Sequence, residues 1–445
     1  TDHDGLPAVV RFSKAAREIG LPAVIGAELS LDAHTSRTGV PDPDATHLVV
    51  LARNPEGYSR LSRAIATAHL VTGKKGERDY GRGVGLDPLE VLSEQAGGPG
   101  GDHWLVLTGC RKGSLRRALE PAGPGGGWDI TAARGEIDRL VALFGRDNVA
   151  VEITDAGRPL DAERNSVLVD LARSAAVTAV VTGAVHAARP RDAALADVLA
   201  AVRARSSLEE IDGWLPPHPA HLRSGAEMLL RHHRHPEAVA AAARLGAACA
   251  FDLRLVAPNL PPFPVPEGHD EASWLRELTL RGAQVTYGTR RAPRHPEAYP
   301  TLEKELSLII RLGFPGYFLI VAEIVEFCRS RGILCQGRGS AANSAVCYAL
   351  GITAVDAVQH QLLFERFLSD GRTGPPDIDL DIESGRREEA IQFVYERYGR
   401  EFAAQVANVI SYRPRSAVRD AARALGYDVG QQDAWSKGIE RWGSL

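Results

Sequence analysis

The sequence predicts an α/β chain of two or three domains, and three observations carry that prediction. The chain runs to 445 residues, more than one compact core serves. Its first 205 residues alternate short apolar runs with amphipathic ones. A segment with five prolines, "VAPNLPPFPVPEG" at 256–268, then interrupts that alternation.

Strands are expected at 23–31, 46–53, 103–109, 148–154 and 178–183, where branched and aromatic apolar residues cluster. Helices are expected between them at 8–19, 57–70, 114–120, 132–145, 161–177 and 191–205. Interleaved strands and helices make βα units, hence a mostly parallel sheet or barrel. The glycine-rich stretches 97–101 and 122–127 read as surface loops. Helical sequence continues to about 249, and the proline segment, which fixes φ and removes donors, reads as an extended connector. Beyond it, 272–310 is helical, and "GYFLIVAEIVEFCRSRG" at 316–332 is a buried helix ending at Gly332. "ILCQ" is a short strand, "GRGS" at 337–340 a tight turn, and "AANSAVCYALG" a second helix ending at Gly351. An aspartate-bearing strand near 377–382 follows, then a helix at 386–398, a strand at 404–410 and a helix from about 416.

Composition bounds the function classes. An apolar fraction of 44% and a charged fraction of 24% are those of a soluble globular protein. A net charge of −4 advertises no global affinity for nucleic acid, so any such contact needs a local patch. Five scattered cysteines with no CxxC pair suggest neither a zinc ribbon nor a disulfide framework, and fit a reducing cytoplasm. No apolar run approaches ~18 residues, so no membrane span is expected. The chain opens on Thr1 and its sole methionine is Met228, which reads as a fragment without its natural start.

"GPPDIDLDIES" at 374–384 spaces Asp377, Asp379 and Asp381 two apart, with Ile378, Leu380 and Ile382 between them. In an extended chain the three carboxylates share one face and the aliphatics the other. Alternate residues lie ~6.6 Å apart, close enough to share divalent ions ~3.5–4 Å apart. The plain alternative is an edge strand with a solvated face. "QGRGSAANS" at 336–344 offers Arg338, Gly339 and Ser340 where a helix opens after a strand, a place that suits phosphate. Alone it is an ordinary strand-to-helix turn. Together, the turn and the aspartates have the logic of nucleotidyl transfer: one holds a triphosphate, the other its metals. Arg366 and Arg372 lie between them in sequence and can neutralise phosphate, unless they pair with Glu365, Asp370 or Glu383.

Arg415, Arg419 and Arg423 recur at i, i+4 and i+8, one helical face that could track a nucleic-acid backbone or simply be solvated. In the first third, His3, Glu28, His47, Cys110 and His186 fall near strand ends, where ligands from separate strands can converge. "RHHRHP" at 231–236 reads as an exposed helix face.

The run "GFPGYFLIVAEIVEFCRSRGILCQGRGSAANSAVCYALGIT", then "LLFERFL", then "PPDIDLDIES", closely resembles the bacterial C-family replicative polymerases, the DNA polymerase III alpha subunits. "TDHDGL" and "IGAELSL" resemble the start of that family's PHP domain, and "PNLPPFPVPEG" its entry into the palm. "DLDIES", "SYRPRSAVRDAARALG" and "GQQDAWSK" are more similar to the error-prone, translesion branch.

The resemblance implies a fold and a set of roles. Residues 1–255 would be a PHP-type distorted (β/α) barrel lacking its first part, 256–268 a connector, 269–410 a polymerase-beta-like nucleotidyltransferase palm, and 411–445 the start of a helical thumb. Asp377 and Asp379 match the first two catalytic aspartates and would hold two Mg²⁺ ions, with Asp381 a family acidic position outside the catalytic set. Gly339 and Ser340 match residues holding the incoming triphosphate, with Arg338 beside them and Arg366 and Arg372 near the phosphates. Primer-template DNA, deoxynucleoside triphosphates, a sliding clamp and translesion accessory proteins are the implied partners, at the nucleoid in the cytoplasm. The family's third catalytic aspartate would follow Leu445, so this fragment alone is expected to be inactive. His3, Glu28, His47, Cys110 and His186 match PHP metal positions, for Zn²⁺ or Mn²⁺. Ala184 and Ala156 stand where the family has an acid and a histidine, which argues for a structural or vestigial domain. The rival readings are a metal-dependent phosphoesterase or 3′–5′ exonuclease working from the PHP half, and a non-catalytic module.

Overall fold

The structure is a computed structural model, and it describes residues 1–445 except 33–38, 40–43, 74–76, 82, 84, 122, 124–125, 216–219, 254–259, 370, 372–373, 407–411 and 440–445. The chain is mixed α/β and divides into two compact units. One comprises Thr1–Val256 with Ile410–Leu445, the other Ala257–Val409.

The first unit carries β1 (Asp2–His3), α1 (Val9–Glu18), β2 (Gly26–Leu31), β3 (Thr46–Ala52), α2 (Pro55–Val71), α3 (Pro88–Ala96), β4 (Trp104–Leu107), α4 (Ser114–Leu119), α5 (Ile130–Phe144), β5 (Val149–Ile153), α6 (Asp161–Ser174), β6 (Thr178–Val181), α7 (Ala193–Ala204), α8 (Gly225–Arg231) and α9 (Pro236–Ala248). The six strands neighbour one another in chain order. β3 runs antiparallel to β2 and β4, while β1–β2, β4–β5 and β5–β6 are parallel pairs. Five strands therefore share one direction and β3 opposes them. Strands sandwiched on both faces read as continuous apolar runs, and β4 (WLVL) and β5 (VAVEI) are buried at every position. Trp104 is 1% exposed, and its indole N–H donates to the Gly57 carbonyl at 2.8 Å. Burying a side chain of that size stabilises by roughly 2–3 kcal/mol.

Three local features differ from the sequence expectation. α3 was not expected from periodicity, because nine residues show little of it; its start signals are Asp87, which accepts from the Leu89 amide at 2.9 Å, and Pro88 in the first turn. "RHHRHP" is not a helix face. α8 ends at Arg231, which donates to Asp155, His232 is buried, and His235 opens α9. β1 is a two-residue strand that only its partner Ala27–Glu28 reveals.

The second unit carries α10 (Glu271–Tyr287), β7 (Gly288–Thr289), β8 (Ala292–Pro293), α11 (Ala298–Arg311), α12 (Pro315–Ser330), β9 (Cys335–Arg338), α13 (Ala345–Ala349), β10 (Asp379–Ile382) and α14 (Arg387–Tyr398). The expected helix over 272–310 is broken by the β7–β8 hairpin, where "GTRRAPRHP" places glycine and proline against helical geometry. α10–α13 enclose a core in which Leu275, Leu302, Leu306, Phe318 and Phe367 are buried. β9 and β10 form an antiparallel pair. Part of the strand expected at 404–410 lies outside the described residues, and 404–406 are irregular.

After the second unit come α15 (Pro414–Ala424) and α16 (Val429–Gly438), which group with the first. Ala424 is fully buried among Ala201, Ala204 and Ile211 of the α7 region, and its carbonyl accepts from the Leu208 amide at 2.7 Å.

No single helix among the described residues is long and apolar enough to cross a membrane.

Candidate functional site

The aspartate row is built by the alternation its sequence dictates. Asp377, Asp379 and Asp381 are exposed, while Ile378, Leu380 and Ile382 are half-buried. Ile378 and Leu380 pack against the second unit's main core, and Ile382 against Cys328, Ile333 and Ala390. The hydrogen-bonded strand begins at Asp379, so Asp377 lies in the extended lead-in. That lead-in is held from two sides: the Ile378 amide donates to the Tyr317 hydroxyl at 3.3 Å, and Ser340 Oγ donates to the Asp377 carbonyl at 3.2 Å. The structure thereby brings Ser340 to the aspartates across 37 residues.

Register does the same for Arg338, which lies opposite Asp379 on the partner strand, with Gln336 opposite Asp381. Its Nε donates to Asp381 at 2.8 Å and its Nη1 lies 3.8 Å from Asp379. The guanidinium is thus turned onto the carboxylates. Gly339 has φ +68°, and a Cβ there would sit 3.6 Å from Asp379 Oδ2. Gly337 is closer still to its surroundings: a Cβ would lie 2.7 Å from the Ile352 carbonyl, to which its amide donates.

The expected α-helix opening at the turn is not formed. Residues 339–343 are a 3₁₀ turn, and α13 starts only at Ala345, capped by Ser344 Oγ, which accepts from the Cys347 amide at 3.1 Å. The first amides of α13 are engaged by Glu305, which accepts from Ala345 and Val346 at 3.0 Å each and from Ser344 Oγ at 2.7 Å. Burial pushes the Glu305 carboxyl up to about 7, although these three donors pull the other way. Any phosphate contact therefore belongs to the 338–343 turn, not to the helix end. Only the fold reveals Glu305's part here, because it sits about 40 residues upstream.

Arg366 is exposed at the end of a 3₁₀ turn (Phe364–Arg366) that packs against the 339–343 turn. Glu365 pairs with Lys304 at 2.7 Å, and among the described residues no ion pair engages Arg366. Arg372 lies outside the described residues.

In the first unit, His3 Nε2 lies 3.6 Å from Glu28 Oε2, and His47 Nδ1 2.6 Å from Glu28 Oε1. Ligand atoms of these three residues all lie within 4.8 Å of one another. Cys110 Sγ is 3.6 Å from Glu28 and 3.7 Å from His47. His186 is exposed in the loop after β6 and is outside that group. Burial alone would raise Glu28, but the His47 hydrogen bond and the His3 and His47 charges bring it down to about 2. Burial, with the Glu28 and Glu152 charges, pushes the Cys110 thiol up to about 11. Asp4, next to His3 in sequence, accepts from the Ser30 amide and the Tyr80 hydroxyl and pairs with Arg78 at 2.8 Å. Asp4, tied to Ser30, Tyr80 and Arg78 beside this group, is a feature that the sequence does not advertise.

The donor sets differ as ligands do. Exposed carboxylates alone suit Mg²⁺, while imidazole, thiol and carboxylate together suit a transition metal. On α15, Arg415, Arg419 and Arg423 are exposed on one face. Arg415 is committed to the Ile439 carbonyl at 2.8 Å.

Residues 273–445 match the bacterial DNA polymerase III alpha NTPase domain, and residues 1–156 match the PHP domain. The chain is 56% identical, over 99% of its length, to an error-prone DNA polymerase of Mycolicibacterium paratuberculosis, covering 39% of that protein. It is also 56% identical to one of Mycobacterium tuberculosis strain H37Rv, over 99% of the chain and 38% of the relative. With that of Corynebacterium glutamicum the identity is 43%, over 98% and 37%. The chain thus spans about two fifths of the length of these curated relatives.

Proposed function

The chain is built of a PHP domain followed by a bacterial DNA polymerase III alpha NTPase domain, and from that premise we propose that it is part of an error-prone, translesion DNA polymerase. The reaction is addition of deoxynucleotides to a primer 3′ end. The observation that carries the reading is the exposed aspartate row registered against the Arg338–Gly339–Ser340 turn. Asp377 and Asp379 are assigned as the Mg²⁺ ligands, presented on one face and fixed from behind by their aliphatic neighbours. Two bound Mg²⁺ ions would supply activation of the primer hydroxyl and neutralisation of the leaving pyrophosphate. Gly339 and Ser340 shape the turn for the triphosphate. Arg338, Arg366 and Arg372 supply positive charge to it, Arg338 by leaving Asp381.

Primer-template DNA and deoxynucleoside triphosphates are the proposed substrates, with a sliding clamp and translesion accessory proteins as partners at the nucleoid. The 445-residue chain alone is proposed not to extend a primer, because the resemblance implies a third catalytic carboxylate and the aspartate row supplies two. The test is primer extension by the full-length protein carrying Asp379→Asn. Loss of extension supports the assignment, and retained extension removes it.

The convergence of His3, Glu28 and His47 favours a second reading, a phosphoesterase or 3′–5′ exonuclease. Ala156 and Ala184 weigh against its multi-metal form. Release of 3′-terminal nucleotides by the purified chain with Mn²⁺ would establish it. A purely structural role for the first unit predicts neither metal uptake nor hydrolysis.

A further inference from the structure

Glu152 is the one charged residue of β5, and it is 8% exposed. Its Oε1 accepts from the Thr182 hydroxyl, while its Oε2 is buried with no hydrogen-bond partner among the described residues. A buried carboxylate oxygen without a donor is uncommon in folded proteins and asks for an explanation.

Its place in the sheet supplies one. β1, β2, β4, β5 and β6 run one way and β3 the other. His3 ends β1, Cys110 follows β4, Glu152 is the penultimate residue of β5 and Thr182 follows β6. His47, near the start of the reversed β3, comes to the same edge. Faces agree as well. Val151 and Ile153 point into the large core, so Glu152 faces the other way, with Ala150 and Val180. Ala27 and Leu29 point into the large core too, so Glu28 shares the face of Glu152. Glu152 lies outside the 4.8 Å group of His3, Glu28 and His47, but its charge and that of Glu28 act on one another and both act on Cys110.

We infer that Glu152 is a further carboxylate donor to a divalent transition-metal ion held at this edge by Glu28, His47 and Cys110. A single ion there gives the orphaned Oε2 its partner and answers the charge of two neighbouring carboxylates. Nitrogen, sulfur and carboxylate donors select a Zn²⁺-like or Co²⁺-like ion over Mg²⁺. The inference concerns the first unit alone and stands or falls independently of the polymerase reading.

The test is Co²⁺ titration of the tag-free, chelator-treated 445-residue chain. The thiolate-to-cobalt band reports Cys110, the visible bands report geometry, and a competing chelator dye gives the affinity. The wild type is expected to take up about one ion with a thiolate band. Glu152→Gln keeps the size and the acceptor for Thr182; it is expected to weaken binding by ~10–100-fold or more and to shift the visible bands, with the apo melting curve unchanged. Glu152→Asp, shorter but charged, is expected to fall between the two, and serves if the glutamine variant misfolds. Wild-type affinity and unchanged visible bands in both variants would overturn the role of Glu152. A wild type that binds no Co²⁺ would overturn the site itself.

Discussion

Arg338 donates from Nε to Asp381 at 2.8 Å and reaches within 3.8 Å of Asp379, so one guanidinium sits on the carboxylate face that metal ions would use. Cation and metal then compete. Arg338→Gln is expected to tighten Mn²⁺ binding at the aspartates by a few-fold, roughly twofold to fivefold for an exposed pair. The same change should weaken binding of a magnesium–triphosphate nucleotide by about tenfold, since a phosphate partner is lost. Mn²⁺ titration by electron spin resonance reads the first, and calorimetry with a deoxynucleoside triphosphate the second. Movement of both in the same direction would contradict the dual role.

The two glycines of the turn are required for different reasons, and substitution separates them. Gly337→Ala forces a Cβ to 2.7 Å from the Ile352 carbonyl, and overpacking of that kind costs about 1–3 kcal/mol. Gly339→Ala meets no close atom but must hold φ +68°, which costs about 1–2 kcal/mol. Urea unfolding of the second unit, followed by circular dichroism, should rank Gly337→Ala as at least equally destabilising. Gly339→Ala should also weaken triphosphate binding.

Glu305 makes the second unit's stability depend on pH. Burial raises its carboxyl from the ordinary 4.5 to about 7 in the folded chain. The folded state therefore binds the proton more tightly. The favourable contribution is full below about 4.5 and is lost as pH rises through about 7. Melting of the wild type should fall across that window relative to Glu305→Gln. Glu305→Ala, which leaves the α13 amides and Ser344 without their acceptor, should cost about 2–4 kcal/mol. A flat difference between wild type and Glu305→Gln from pH 5 to 8 would rule this out.

The arginines of α15 should divide by what already holds them. Arg419→Ala and Arg423→Ala should each lower the salt slope of primer-template binding by about one, without a change in melting. Arg415→Ala loses its bond to the Ile439 carbonyl as well, so it should lower the melting temperature too. Fluorescence anisotropy over a salt series checks the first claim and calorimetry the second.

Legibility followed sequence distance. β2 to β6 could be read because each strand is a self-contained apolar run, and the aspartate row because alternation by two is local. The start of α13 is not legible locally, because the group that closes its first turn, Glu305, is remote in sequence. The pairing of Arg338 with acids is not legible locally, because its neighbours in sequence are glycines and its acidic neighbours lie across the ladder. Glu152 is unremarkable within "VAVEI", and its significance depends on strand direction, which no single segment carries. His3, Glu28 and His47 lie in three separate segments, so their convergence was accessible through resemblance and not through spacing.

The burial of Ala424 beside Ala201 and Ala204 has a consequence for how the chain is made. The first unit is discontinuous in sequence, with residues 257–409 inserted into it. A ribosome will have synthesised that whole insertion before residue 424 can reach α7. Until then the apolar side of α7 stays open, and the nascent chain passes through an intermediate with one unfinished surface. Closing it late, across more than two hundred residues, is a high-contact-order step that should follow completion of the inserted unit during synthesis.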